Sequence, residues 1–355
     1  YRFSADFGCQ SNIQYSMSHP APVIHSVMLS GKDKDFECSE SDSVLKGGLR
    51  HGLAMRYECS NGTCGVCKAK LIKGDIEKIK HHDYALSTDE LDNNEFLMCC
   101  CAPKSDVEVE FDLIGDVRSI PIQEIQVKIK DIRFIDDNMA IVSLRTPRSK
   151  TLQFMAGQDV ELRFKGASYR YPIASCPCHG MELEFHIRRF DVDQFSQAIF
   201  SKTIKAKAKI DLLGPKGVFV LKEYSDKHMV FIAWDGGFAP IRSLIEHAFS
   251  LEMPNPVHFY WAYPATDSKP YFDNHAQSWR AVMDEYHYQT IACEFDRSSK
   301  NDCHKVAKQI YNSLDHDLIN QSEVYISAPA EVLIYLGELL LENGLDESQL
   351  IAAPI

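Results

Sequence analysis

Hydrophobic and polar positions alternate along this chain in three successive rhythms, each predicting a different kind of domain. Over residues 23–112 short apolar runs predict strands, with a helix over residues 43–51 and a closing strand, Asp-Val-Glu-Val-Glu-Phe, over residues 106–111. Over residues 125–221 short strands recur with turn residues between them, the pattern of an antiparallel barrel. After Ser225 apolar runs such as 229–233 and 257–261 alternate with helical stretches over 240–249 and 331–343. Such alternation predicts a mostly parallel sheet.

Turn and breaker residues at Ile114-Gly115-Asp116 and Ile120-Pro121 mark the first junction. The expected division is an N-terminal extension at 1–21, a first domain at 22–115, a barrel at 122–224 and a strand–helix domain at 225–355.

A chain of 355 residues with 45% hydrophobic content can bury several cores. Its formal net charge of -12 argues against a nucleic-acid binder and offers nothing to an anionic membrane, while an acidic surface would suit a basic protein partner. No apolar run approaches the roughly 20 residues of a membrane span, and the first residues lack a signal-peptide core. The twelve cysteines are irregularly placed, which fits a reducing compartment and a cytoplasmic protein.

Three of those cysteines carry the sharpest chemical signal. Cys59, Cys64 and Cys67 are spaced C-x4-C-x2-C around Gly62 and Gly65, a loop that can aim several thiolates inward while its N–H groups face bridging sulfides. This spacing predicts three ligands of a 2Fe-2S cluster and requires a distant fourth. Cys99, Cys100 and Cys101 are the candidates. Alternation along a strand would put Cys99 and Cys101 on one face and Cys100 on the other, leaving the choice open. A zinc site or unconnected buried thiols is the competing reading. The run 87–92 is read as a capped helix start. Cys176-Pro177-Cys178-His179 is too compact to wrap a zinc ion and is read as a free-thiol loop.

Phe96-Leu97-Met98-Cys99-Cys100-Cys101-Ala102-Pro103-Lys104-Ser105-Asp106 is similar to the fourth-ligand segment of ferredoxin-like domains in flavin-dependent oxygenase reductases, where Pro and Ser-Asp follow the ligand at fixed offsets. The resemblance picks Cys99, and implies that Cys59 and Cys64 hold one iron while Cys67 and Cys99 hold the other. Phe154-Met155-Ala156-Gly157-Gln158-Asp159-Val160 and Leu213-Gly214-Pro215-Lys216-Gly217-Val218-Phe219 resemble a barrel strand and closing turn of the ferredoxin-NADP reductase superfamily. Together these resemble the three-domain reductases of phenol hydroxylase, soluble methane monooxygenase and benzoate-type dioxygenases, a layout shared by deoxyhexulose dehydrase reductases. The resemblance implies a plant-type 2Fe-2S ferredoxin (β-grasp) domain, a six-stranded FAD-binding β-barrel and a Rossmann-like parallel α/β domain, with NAD(P)H as donor and an oxygenase component or similar enzyme as acceptor.

That family holds FAD with R-x-Y-S, and here Arg170, Tyr171, Pro172, Ile173 and Ser175 stand at and after the motif, with Pro172 where a serine belongs. His186, Ile187 and Arg188 resemble the strand behind the flavin, and Phe195 and Ser196 resemble its phosphate-binding turn. The nucleotide domain of the family opens with G-G-T-G. This chain reads Trp234-Asp235-Gly236-Gly237-Phe238-Ala239-Pro240, so Gly236, Gly237, Ala239 and Pro240 are nucleotide-binding candidates beside an intrusive indole and carboxylate. Ser327 and Pro329 stand where the family has C-G-P-P, and Leu350-Ile351-Ala352-Ala353-Pro354-Ile355 lacks its acidic and aromatic residues. These departures all fall along the hydride path. The leading expectation is an NAD(P)H-dependent oxidoreductase; the alternatives are a relay subunit fed by a protein, and a cluster protein without flavin.

Overall fold

The computed structural model describes residues 23–355 apart from 33, 52, 54, 58–61, 64, 112–119, 148–149, 178–180, 191, 223–224, 251–252 and 296–301. The expected extension, Cys59 and Cys64 lie outside the described residues.

The first unit contains β1 (Ile24–Leu29), β2 (Asp35–Ser39), α1 (Val44–Arg50), β3 (Lys68–Lys73), β4 (Ile76–Lys78), α2 (Thr88–Asp92), β5 (Glu95–Leu97), β6 (Cys101–Pro103) and β7 (Val107–Glu110). Five strands form one sheet in the order β2-β1-β7-β3-β5, and β4 pairs with β6 beside it. β1 and β7 run parallel, joining the first and last strands at the centre of the sheet. Their inward residues Val27, Leu29, Val107 and Val109 pack on α1 residues Val44 and Leu45 in one core. Ser43 caps α1 by accepting the Lys46 N–H. Ser87 and Glu90 close a capping box on α2, as the run 87–92 leads one to expect.

The second sheet is antiparallel. It holds β8 (Gln123–Phe134), β9 (Met139–Arg145), β10 (Asp159–Phe164), β11 (Ala167–Pro172), β12 (Glu182–Arg188) and β13 (Lys209–Lys216), in the order β11-β10-β13-β8-β9-β12. The sheet curls until its edge strands approach, and the Ala174 N–H beyond β11 donates to the Glu184 carbonyl of β12 at 2.8 Å. This near-closure encloses a core of Val127, Val142, Val160, Leu162 and Phe185, with α3 (Gln194–Phe200) capping one end through Phe195 and Ile199. The two barrel motifs meet: Gly157 adopts φ +86°, and a Cβ there would lie 2.1 Å from the Phe219 carbonyl oxygen. Gln158 next to it donates to the Gly217 carbonyl at 3.0 Å.

The third unit runs β14 (His228–Trp234), α4 (Phe238–Ser250), β15 (Val257–Pro264), α5 (Asp273–Ser278), β16 (Tyr286–Cys293), α6 (Asp302–Asn312), α7 (His316–Ile319), β17 (Ser322–Ala328), α8 (Ala330–Glu342) and β18 (Leu350–Pro354). All five strands are parallel, in the order β16-β15-β14-β17-β18. β17 is buried along its whole length and β14 nearly so, because helices cover both faces. The chain after β14 leads to β15 on one side, whereas β17 lies on the other. This switch point opens a crevice beyond the carboxyl end of β14.

Candidate functional site

Two regions gather the residues singled out in the sequence. In the first unit, Cys67, Cys99, Cys100 and Cys101 are all buried in one core. The expected strand through the three neighbouring cysteines is absent: residues 98–100 form a turn between β5 and β6, closed by the Cys100 N–H donating to the Leu97 carbonyl at 2.9 Å. Strand alternation therefore does not apply there, and Cys99 and Cys100 bring their sulfurs to 3.5 Å from each other. The Met98 N–H donates to the Cys67 carbonyl at 3.0 Å, tying the Cys99 turn to the end of the cysteine loop.

The loop needs its glycines. Gly62 has φ +82° and Gly65 φ +73°; a Cβ on Gly62 would lie 2.6 Å from the Cys100 sulfur, and one on Gly65 would lie 2.3 Å from the Tyr84 ring. Buried thiols gathered beside a loop wound this tightly suit an iron–sulfur cluster.

The second region is a cleft of about 480 Å³ between the barrel and the carboxyl end of the parallel sheet. Arg170, Tyr171 and Pro172 line it from β11, His186 and Arg188 from β12, and Asp235, Gly236, Pro240 and Pro329 from the switch point. Ala353, Pro354 and Ile355 contribute from β18 and just beyond it, an element the sequence pattern did not reveal. The volume falls in the usual range for a small-molecule site.

Of the other flavin candidates, Ile173 and Ile187 are fully buried in the barrel core, and the Ser175 hydroxyl caps the Glu184 N–H at 3.1 Å. Ser196 is also fully buried, receiving the Phe190 N–H and donating to the Arg188 carbonyl. The N–H groups of Phe195 and Ser196 are taken by the Asp193 carboxylate, which also accepts from the Tyr171 hydroxyl. The turn before α3 is thus satisfied by an internal anion. Arg170 forms a two-point pair with Asp159 at 2.5 and 2.6 Å.

At the switch point, Asp235 has φ +49°, and its carbonyl accepts from the Trp261 indole N–H at 3.0 Å. Its carboxylate pairs with Arg188 across the cleft. Gly237 is required on steric grounds, since a Cβ would lie 2.0 Å from the Ser327 carbonyl oxygen, whereas Gly236 has room. Ala239 is buried in α4 and Ser327 is buried in β17, its hydroxyl without a hydrogen-bond partner among the described residues. Trp234 packs edge-on to Phe295 and is mostly buried, yet both rings line the cleft, so the expected bulk stands there beside the Asp235 charge.

Beneath the cleft a charged network joins barrel and sheet. Arg242 of α4 pairs with Glu184 of β12 and with Glu246 at 2.7 Å, and Glu246 meets His275 at 3.1 Å. Burial works against the Glu184 charge, but His186 and Arg242 hold its carboxyl down at about 2. Burial lowers the His186 imidazole to about 4, so the ring is neutral near pH 7. Ser243 adds a neutral tie, donating to the Ser175 carbonyl at 2.8 Å. Cys176 at this junction is disulfide-bonded, so it is not the free thiol expected from the sequence.

The 2Fe-2S iron-sulfur cluster binding domain family matches residues 27–104. The CDP-6-deoxy-L-threo-D-glycero-4-hexulose-3-dehydrase reductase of Yersinia pestis is 30% identical over 256 residues, 72% of this chain and 76% of that protein. The reductase component of propane 2-monooxygenase from Rhodococcus jostii (strain RHA1) is 25% identical over 345 residues, 94% of this chain and 92% of that protein. Among solved structures, the ferredoxin reductase in carbazole 1,9a-dioxygenase superposes with a TM-score of 0.55 at 21% identity, covering 95% of this chain and 99% of that one. That likeness shows the fold.

Proposed function

Because this chain belongs to the three-domain ferredoxin, FAD and NAD(P)H oxidoreductase family, we propose that it is the reductase component of a two-part system, passing electrons from NAD(P)H through FAD and a 2Fe-2S cluster to an oxygenase component or similar enzyme. The observation that carries this reading is the presence, in one chain, of buried cysteines packed beside a glycine-bearing loop and a cleft where a flavin-type barrel faces a parallel-sheet switch point.

The cysteine set Cys59, Cys64, Cys67 and Cys99 would hold the cluster, with Cys99 assigned from the residues that follow it. Tyr171 and Pro172 would flank the flavin, with Arg188 reaching toward its phosphates, while Gly236, Gly237, Pro240, Ser327 and Pro329 would receive the nucleotide. FAD, when bound, supplies the exchange between two-electron and one-electron chemistry. The protein's contribution is placement. The Glu184–Arg242–Glu246 network locks the barrel to α4, so the two walls of the cleft keep a fixed separation. His186 stays neutral and keeps a positive charge away from the cleft wall. No described helix is long and apolar enough to cross a membrane.

Anaerobic mixing of the purified protein with NADH, and separately NADPH, tests the reading by following flavin and cluster bleaching in a stopped-flow spectrometer. Rapid bleaching by either nucleotide is expected. The Asp235 carboxylate at the nucleotide turn favours a second reading, a relay subunit fed by a protein. Cofactors reduced by dithionite but by neither nucleotide would select that one.

A further inference from the structure

The cleft holds its cationic side chains in two different states. Arg170 gives both Nε and Nη2 to the two oxygens of Asp159, a complete fork-to-fork pair. Arg188 gives only Nη2 to Asp235, and its Nε is buried without a hydrogen-bond partner among the described residues. The first pair is complete as it stands. The second leaves a buried donor unpaired beside the cleft, which an oxyanion could satisfy once the guanidinium is drawn away from Asp235.

Asp235 is held in this position. The Trp261 indole anchors its carbonyl, and the close approach of Gly237 to Ser327 fixes the turn two residues on. Its carboxylate side chain is only 12% exposed. Asp235 belongs to the parallel-sheet domain and Arg188 to the barrel, 47 residues apart in sequence, so the pair spans the cleft. Any ligand that brings a phosphate to Arg188 meets a fixed negative charge already using that arginine.

We propose that Asp235 is an affinity-determining internal competitor, which the pyrophosphate of a bound dinucleotide displaces from Arg188. The displacing oxyanion gains both Nη2 and the unpaired Nε, and Asp235 gives up its pair with Arg188. The net gain is smaller than a free arginine would give, so the ligand is held weakly by design of the cleft rather than by lack of a cation. Both FAD and NAD(P)H carry such a pyrophosphate, and the proposal rests on the reading that this cleft takes them.

The test uses the full chain, stripped of flavin with its cluster retained, and the variant Asp235→Asn, which keeps size and tolerates the left-handed backbone. FAD affinity is measured by flavin fluorescence; ADP-ribose, a redox-silent carrier of the nucleotide's pyrophosphate, is titrated calorimetrically into the FAD-loaded protein. Asp235→Asn should bind one of the two about 10-fold more tightly, as expected for releasing one charge-assisted arginine contact. The ligand that gains identifies whose pyrophosphate Arg188 receives. In an Arg188→Met background the gain should vanish. Unchanged or weaker binding of both ligands overturns the proposal, and so does a gain that persists without Arg188. Failure of both wild type and variant to bind FAD would overturn the cofactor reading itself and the proposal with it. Should Asp235→Asn not fold, Asp235→Gly, suited to φ +49°, carries the same comparison.

Discussion

The Tyr271 hydroxyl meets His186 Nδ1 at 2.7 Å, joining the segment after β15 to the barrel strand β12. Burial holds the Tyr271 phenol protonated, its pKa well above the ordinary value. The phenol stays neutral, and on the other side of the ring His186 Nε2 lies 3.4 Å from Glu184 and 3.3 Å from the Arg242 guanidinium. Tyr271→Phe would leave a buried ring nitrogen unpaired. A loss of about 1–2 kcal/mol is expected by chemical denaturation, with little change in overall shape.

The same histidine makes stability pH-dependent. Its folded pKa of about 4 lies below the ordinary 6.5, so the unfolded chain binds the proton more readily. The contribution is fully present above about pH 6.5 and is lost as pH falls toward 4. On the order of 3 kcal/mol is at stake across that window. His186→Gln should flatten the curve between pH 6.5 and 4, and denaturation midpoints measured at half-unit steps check this. The Glu184 carboxyl, held at about 2, adds a further loss at lower pH that the substitution should reduce, because His186 is the first of the partners that hold it down.

Gly236 and Gly237 are adjacent yet should respond in opposite ways. Gly237→Ala drives a methyl against the Ser327 carbonyl and should cost at least about 2 kcal/mol. Gly236→Ala meets nothing nearer than the Ile355 side chain at 3.9 Å and should fold normally. Paired thermal melts of the two variants decide the matter. Equal melting temperatures would contradict the close packing of the turn on β17.

The ligand choice among three neighbouring cysteines can be read spectroscopically. Cys99→Ser should abolish the visible absorption of the cluster while flavin absorption remains. Cys100→Ser, whose sulfur packs on Gly62, should keep the cluster. Loss of the cluster from Cys100→Ser with retention in Cys99→Ser would reverse the assignment.

Local pattern was sufficient for the three architectures, because element type follows from the periodicity of buried positions within a few residues. The strand–helix alternation after Ser225 and the capping box at Ser87 are of this kind. The edge strand β18 escaped notice because Leu350–Pro354 is half-exposed and lacks a clear period. The turn at residues 98–100 escaped because three adjacent cysteines carry no turn signal; the bond from the Cys100 N–H to Leu97 sets it.

The sequence by itself determined which segments become strands and helices, and which residue types are available for a cluster and a flavin. Tertiary structure decided which of those residues are already engaged. Asp235 reads as a charged intruder in a glycine turn until the fold brings it to Arg188, and Asp193, which the sequence did not single out, caps α3 and takes the Tyr171 hydroxyl. The reason is physical: burial has a short period that local sequence records, whereas the partner of a charge depends on which distant strands the hydrophobic core draws together.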